Sequence, residues 1–551
     1  MHRLLPIALT LAIAPAGLAQ TTWFVDDDAP NDPGPNNPNS SDPNEDGSDT
    51  NPFDRLNEAI DASASGDTIV VRPGTYIDTQ QINTDGKAIT ITSSGGPSVT
   101  FLDGFASPGS MILMNSAEGR DTVIENLTLQ GGFDTNGGAL EIDGNVSAIF
   151  RNIVFRNNTA SVDGGAVFFN GGTGTVNEEP LFVDCLFENN VSQSTQTTGF
   201  DGGAGFFVNG APTFLRCTFR NNNGAQGGAL ALGTCHRIDI IDCLFENNHA
   251  IVDGGGLKIE NSADVRIVGT TFLRNTSVGG GGLDLDGSAT RIDRCRFLGN
   301  SITNTGGIGG AVLTDNSTGT NTMTVTNTVF VGNTTNNDGG AIALRDTTVL
   351  FENCTVTANV AGDAIGGIFT TSTARTTLLN SIVTGNTDAV NSTPDYGGTN
   401  TTAAYTASYS ILDVSNLPGG TFGANLLTAS PLDLFVRVPD PGMDALWGTS
   451  DDDYGDLRLL PTAIAIDSGS SDDYTGPLAD LDANDRAQDD PNTPDSGLAF
   501  MSPTIDMGAF EFNIQTVGGN ACAGDFDLDG DVDLGDFGAF GIDFGRNDCN
   551  D

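Results

Sequence analysis

Near the C-terminus, carboxylates recur at a spacing that suits a hard cation. In Asp525-Phe-Asp527-Leu-Asp529-Gly530-Asp531-Val532-Asp533-Leu-Gly-Asp536, residues Asp525, Asp527, Asp529, Asp533 and Asp536 take positions 1, 3, 5, 9 and 12 of a twelve-residue loop. Asp531 at position 7 offers its backbone carbonyl, Gly530 stands at position 6 where such a loop turns sharply, and Val532 at position 8 faces inward. Calcium takes oxygen ligands in this order. Five carboxylates crowded into one loop repel one another until a cation enters. An acidic linker does not explain Gly530 and Val532 together. The segment is therefore read as a calcium loop, with Asp525, Asp527, Asp529, Asp531, Asp533 and Asp536 as ligands and Ca2+ as the bound ion. Phe537, Phe540 and Phe544 follow at helical spacing.

Other acidic and basic residues admit two readings each. Asp163, Asp201, Asp253 and Asp338 precede Gly pairs; they form either a carboxylate site or a repeated Asx turn, and the turn is favoured. Acidic loops at Asp451–Asp453, Asp480, Asp482 and Asp485 either bind calcium or are simply solvated, with no repeating ligand spacing. Arg294 and Arg296 flank Cys295 and point outward together, and Arg216 and Arg220 hold similar sites nearby. They make either a small basic patch that acts on a substrate or plain surface charge, the second being favoured.

These side chains sit on a unit that keeps returning. Cys185-Leu-Phe187-Glu-Asn-Asn190, Cys217-Thr-Phe219-Arg-Asn-Asn222, Cys243-Leu-Phe245-Glu-Asn-Asn248 and Cys295-Arg-Phe297-Leu-Gly-Asn300 are its clearest copies. Weaker copies run through Phe155/Asn158, Phe272/Asn275, Phe330/Asn333, Val356/Asn359 and Val383/Asn386. Companion Gly pairs fall at Gly137, Gly164, Gly202, Gly227, Gly254, Gly281, Gly309, Gly339 and Gly366, mostly about 25 to 30 residues apart. A fixed period of that size means stacked units, hence a solenoid. Alternating runs such as Gly-Leu-Lys-Ile-Glu (256–260) and the 72 glycines exclude helical repeats. Two or three short strands per repeat describe one coil of a parallel β-helix; ten or so coils at ~4.8 Å give a rod on the order of 50 Å long. Stacked Asn side chains form amide ladders along it, Gly pairs supply positive φ at turns, and Phe and Cys fill the interior.

The repeats resemble those of polymorphic outer-membrane proteins, whose motifs are a Gly-Gly-Ala-Ile-like segment and Phe-x-x-Asn; Gly339-Gly-Ala-Ile342 and Phe245-Glu-Asn-Asn248 match. The resemblance covers about residues 125 to 390 and implies an all-β, right-handed parallel β-helix of the pectate-lyase-like superfamily shape. No run of amphipathic strands at the end of the chain suggests a translocator barrel. The terminal loop resembles the calcium-binding half of dockerin domains, an EF-hand-like loop followed by one helix; dockerins carry two such repeats and this chain shows one. The resemblance implies docking to a partner, a cohesin-like protein among the candidates. Pectin-type hydrolases of this shape carry Asn-Thr-Asp, Asp-Asp, Gly-His-Gly and Arg-x-Lys motifs. Asn-Thr-Asp occurs at Asn83–Asp85 and Asn386–Asp388, but the chain has neither a His-Gly nor an Arg-x-Lys.

Length, charge and cysteine usage set the outer bounds. Met1 to Ala19 has a basic start, an apolar stretch and small residues before a cleavage point, the pattern of a secretory signal. No later stretch is long and apolar enough to span a bilayer. With 22 basic and 71 acidic side chains and a net charge of −49, nucleic acid and anionic membranes are poor partners and divalent cations good ones. Of eight cysteines, Cys185, Cys217, Cys243, Cys295 and Cys354 share a repeat position and are read as buried thiols in preference to bridges. Cys235 is off-register with either neighbour as a partner, and Cys522 and Cys549 are expected to pair.

The expected organisation is a signal peptide (1–19), an acidic Pro/Asn-rich segment (20–51), an N-terminal cap and first coils (52–124), β-helix repeats (125–442), a C-terminal cap region (443–514) and a dockerin-like module (520–551). The cap includes a helix over 52–64 with Phe53, Leu56, Ile60 and Ala64 on one face. The whole is expected to be a secreted or cell-surface protein presenting a long, non-catalytic surface to a polysaccharide or another surface component. A polysaccharide lyase or glycoside hydrolase of the same superfamily is the alternative.

Overall fold

The structure, a computed structural model, describes residues 20–512 apart from 29–43, 78–79, 108, 172–178, 195–200, 316–320, 372, 389–394, 399–403, 413–420, 487 and 499–502. It is an all-β, right-handed parallel solenoid of about 11 turns with almost no helix. Each full coil has four strands, not the two or three expected. Ile149–Arg151, Val154–Arg156, Thr159–Asp163 and Val167–Asn170 make one such coil. The same order repeats along the rod, so four parallel sheets form, of 15, 14, 10 and 12 strands. We call them the first to fourth faces in chain order.

Stacking is residue on residue. On the second face Phe155 pairs with Phe187, Phe187 with Phe219, Phe219 with Phe245, Phe245 with Phe272 and Phe272 with Phe297. Their rings stack 4.6, 4.7, 4.7, 4.9 and 4.7 Å apart inside the rod. Offset stacks of this kind add about 0.5–1.5 kcal/mol per pair beyond area burial.

The Asn residues that end the repeat form one continuous ladder. Oδ1 of Asn222 accepts from both the backbone N–H and Nδ2 of Asn190, each at 3.0 Å. Asn222 in turn donates from N–H and Nδ2 to Asn248 Oδ1 at 3.0 and 2.9 Å. The second Nδ2 hydrogen goes back to Phe187 O at 2.9 Å. Every donor and acceptor of the amide is used. The ladder runs from Asn158 to Asn386 and ends on Asp395, which accepts from Asn386 N–H and Nδ2 at 2.7 and 2.8 Å. An acceptor-only carboxylate suits the last rung. Intervals along the ladder range from 25 to 33 residues, so loops absorb the length differences and the register does not slip.

The six cysteines among the described residues are buried free thiols. They belong to hydroxyl-like ladders. Cys243 N–H donates to Thr270 Oγ1 at 3.3 Å, Cys295 N–H to Thr328 Oγ1 at 3.2 Å and Cys354 N–H to Ser381 Oγ at 3.2 Å. Cys235 pairs with no neighbouring cysteine; its N–H meets Ser262 Oγ at 3.2 Å in a separate column. Burial raises the Cys217 and Cys243 thiols well above the ordinary range. Cys522 and Cys549 lie outside the described residues.

The helix of the N-terminal region is Leu56–Ala62, shorter than expected; Leu56, Ala59 and Ile60 are buried, while Ala64 is exposed. It packs on the strands Thr22–Val25, Thr68–Val71 and Ile82–Asn83 at the start of the rod. Among the described residues no helix is long and apolar enough to cross a membrane. After the last coils the chain turns back along their flank. A two-stranded antiparallel sheet, Phe435–Arg437 with Asp456–Leu459, buries Phe435, Leu457 and Leu459 against Val329, Val331, Ile382 and Ile411.

Candidate functional site

The outward residue that follows the inward Leu or Phe of each second-face strand makes a register row. Asp103, Gln130, Arg156, Glu188, Arg220 and Glu246 stand in successive coils. Three neighbouring pairs are linked side chain to side chain. Gln130 Nε2 donates to Asp103 Oδ2 at 3.0 Å, Arg156 Nε and Nη2 donate to Gln130 Oε1 at 2.9 and 2.7 Å, and Arg220 Nη2 donates to Glu188 Oε2 at 2.8 Å. Arg156 also lies over the Phe101 ring at 5.4 Å. The row borders a shallow groove of about 380 Å³ lined by Asp103, Gln130, Gly131, Arg156, Asn157, Glu188 and Asn189. Asn157 and Asn189 hold the left-handed turn, at φ 54° and 56°, that leads into the ladder residue after each. Rigid strands thus fix alternating donors and acceptors about one coil apart.

Further along, the same outward positions become apolar as Leu298 and Val331, and the C-terminal segment covers them. Where it meets the coils, a cleft of about 290 Å³ remains, lined by Arg296, Arg437, Tyr454, Asp456, Arg458, Asp482 and neighbours. Its arginines are paired: Arg296 with Asp482 at 3.4 Å, Arg437 with Asp453 at 2.8 Å and Arg458 with Asp456 at 2.9 Å. Burial raises the Asp482 carboxyl above its ordinary value, with Arg296 opposing.

Three anchors hold this segment to the turns between first and second faces. Asn353 Nδ2 donates to Asp506 O at 2.8 Å, and Asn380 Nδ2 to Ser470 O at 3.0 Å. Arg486 is fully buried and donates to Asn327 Oδ1, Gly508 O and Ala509 O at 2.7, 3.0 and 2.8 Å, beside Glu511 at 3.2 Å.

The remaining sequence-level candidates resolve as follows. Arg216 and Arg220 each face a carboxylate, Asp184 at 2.7 Å and Glu188 at 2.8 Å, and Arg294 faces Asp293 at 3.1 Å. The four arginines do not form a basic patch. Two of the Asp residues before Gly pairs serve the backbone: Asp201 Oδ1 accepts from Ala225 N–H at 2.8 Å and Asp338 Oδ1 from Ala364 N–H at 3.0 Å. Asp163 is pushed up to about 6 by burial, then by Asp201. Asp253 lies near Lys258, which is buried 2.8 Å from Asp284. Of the acidic loops, Asp452 Oδ2 accepts from Gly448 N–H, Thr449 N–H and Tyr454 Oη at 2.7, 3.0 and 2.9 Å. Asp480 Oδ1 accepts from Asp482 and Asn484 N–H at 2.9 and 2.7 Å. These are turn caps. Of the two Asn-Thr-Asp matches, Asn83 caps Asp85 N–H at 2.8 Å and Asn386 is the last ladder amide. Asp525, Asp527, Asp529, Asp531, Asp533 and Asp536 lie outside the described residues, as does the segment 1–19.

Of the Asp103–Glu246 row, only Arg220 stands out in the sequence. The signal for the rest is the residue after each repeat Phe, which alternates in sign from Arg156 to Glu246.

Comparison with known proteins agrees with these coils. The family described as right handed beta helix region matches residues 181–329, and the Chlamydia polymorphic membrane protein repeat matches residues 152–170 and 327–345. No curated relative matches the chain. Among solved structures, the crystal structure of pectate lyase Pel9A is similar at 14% identity and TM-score 0.33, covering 90% of this chain and 98% of that one. The complex structure of XylC with xylose is similar at 10% identity and TM-score 0.34, covering 77% and 88%.

Proposed function

We propose that this protein is exported, is held at a cell surface, and uses the second face of its β-helix to bind a polysaccharide without cleaving it. The observation that carries this reading is the uncovered polar groove between Asp103 and Asn189, on the face that the C-terminal segment covers elsewhere. Its donors and acceptors are held by strands and by one another, so little side-chain entropy is lost on binding. The polymorphic membrane protein repeats support surface association. Residues 1–19 serve as the signal peptide, and the helix Leu56–Ala62 covers the first coil. The terminal loop holds Ca2+ through Asp525, Asp527, Asp529, Asp531, Asp533 and Asp536 and works as a dockerin-like attachment module, with a cohesin-like protein as one partner. Its donor set, five carboxylates and a carbonyl, is the hard-oxygen set calcium prefers.

The second reading, a polysaccharide lyase or glycoside hydrolase, draws on one feature: Asp456 and Asp482 line one cleft with three arginines. Incubating the full chain with acidic and neutral polysaccharides, with and without calcium, separates the two. Retention on a polymer with no new ends supports binding; unsaturated or reducing ends overturn the non-catalytic reading.

A further inference from the structure

The segment that folds back along the rod carries an acidic cluster distinct from the terminal loop and from the capped turns above. One carboxylate oxygen from each of Asp467, Asp489 and Asp495 lies within 4.8 Å of the others. Asp467 is fully buried, and its Oδ2 has no hydrogen-bond partner. Asp489 and Asp495 are exposed. The position of Asp467 is set from several sides. Its backbone adopts φ 50°, its N–H donates to Asp506 Oδ1 at 2.7 Å, and its carbonyl accepts from Ser496 and Gly497 N–H at 3.0 Å. Asp495 Oδ1 accepts from Thr504 Oγ1 at 2.7 Å. The carboxylate of the adjacent Asp490 accepts from Asn492 and Thr493 at 3.0 and 2.8 Å, and its charge adds to the repulsion on Asp467. The arginines of this segment are engaged elsewhere, Arg458 with Asp456 and Arg486 with Glu511.

Three carboxylates that converge, one of them buried with an unused oxygen, are costly unless a cation or a proton joins them. We propose that Asp467, Asp489 and Asp495 form a divalent-cation site, occupied by calcium, that ties the loop around 489–497 to the turn at Asp467. All-oxygen donors from short side chains, open to water on the Asp489 and Asp495 side, suit calcium's need for six to eight oxygens. Burial, then the Asp489 and Asp495 charges, pushes the Asp467 carboxyl up to about 6, as expected for a group awaiting a positive partner. The site is structural: it fastens the covering segment whose other anchors are Asn353, Asn380 and Arg486.

The test uses the full chain with Asp525→Asn and Asp536→Asn, which neutralises the first and last carboxylates of the terminal loop so that uptake here is read apart from it. Calorimetric titration with calcium chloride should show one saturating equivalent. Adding Asp489→Asn and Asp495→Asn should weaken it at least tenfold, while the midpoint of thermal unfolding in EDTA stays level or rises because repulsion is relieved. Calcium should raise that midpoint in the parent and not in the chain that also carries Asp489→Asn and Asp495→Asn. No uptake by the parent, equal uptake by both, or a lower midpoint of the substituted chain in EDTA would each overturn the proposal. Comparison with the unsubstituted chain reports on the terminal loop separately.

Discussion

Asn248 shows what each ladder residue does. Its Oδ1 accepts twice from Asn222, and its Nδ2 reaches Phe219 O and Asn275 Oδ1, both at 2.9 Å. Replacing it with Ala leaves buried donors and acceptors on two neighbouring coils unmet, each worth about 1–3 kcal/mol. Asn248→Ala should therefore lower unfolding free energy by about 3–5 kcal/mol in denaturant titration. Asn248→Asp, which keeps the acceptor but not the donors, should also destabilise, whereas Asp395 already tolerates that chemistry at the ladder's end. A loss below about 1 kcal/mol for Asn248→Ala would contradict the ladder's role. This much was legible in the sequence, because one residue type recurred at one position. The Cys column was half legible. Thr270, Thr328 and Ser381 take the rungs next to Cys243, Cys295 and Cys354 in one column, but a hydroxyl and a thiol look unrelated until geometry shows Cys243 Sγ accepting from Cys217 N–H as Thr270 Oγ1 accepts from Cys243 N–H.

At the level of the coil, the Gly pairs divide their work. The first glycine of most pairs takes a left-handed turn, as Gly254 does at φ 63°; in one pair that residue is Gly280, one position before the Gly281 expected from the spacing. The second is needed for close approach. A Cβ on Gly255 would lie 2.1 Å from Gly281 O in the next coil, and one on Gly228 would lie 2.0 Å from Gly255 O. Gly255→Ala must push two coils apart and should cost about 1–3 kcal/mol or more, read as a drop in thermal midpoint. Ala at exposed Gly306, where a Cβ meets nothing, is the matched control and should be near neutral. The extra strand per coil was not legible. Third-face strands such as Val191–Ser192 and Ser301–Ile302 have two residues, too few to show a period of two. The returning segment was legible as a change of composition near residue 443, but its anchors were not. Asn327, Asn353 and Asn380 look like any other turn asparagine until Arg486, Asp506 and Ser470 are placed against them.

Across the whole molecule, acidity governs response to pH. Burial raises Asp163 and Asp467 to about 6 and Asp506 to about 7. A carboxyl raised above its unfolded value lends stability that is fully present below the unfolded pKa, near 4, and is lost as pH rises through the folded value. Relief of the net charge of −49 on acidification acts in the same direction. In EDTA, the thermal midpoint should therefore fall between about pH 5 and about pH 8, and a rise over that range would contradict the assignment. Calcium should flatten the trend. The rod itself, about 50 Å of stacked coils, presents the groove between Asp103 and Asn189 in line with its long axis. The most direct check of the account is binding of the full chain to an immobilised polysaccharide that it retains, compared with Arg156→Ala/Glu188→Ala. Those two residues are partly exposed, so the thermal midpoint should hold within the small shift expected of surface changes. The account predicts at least a tenfold loss of affinity, about 1.4 kcal/mol, with no polymer ends released by either protein. Unchanged affinity, or the appearance of new ends, would contradict it.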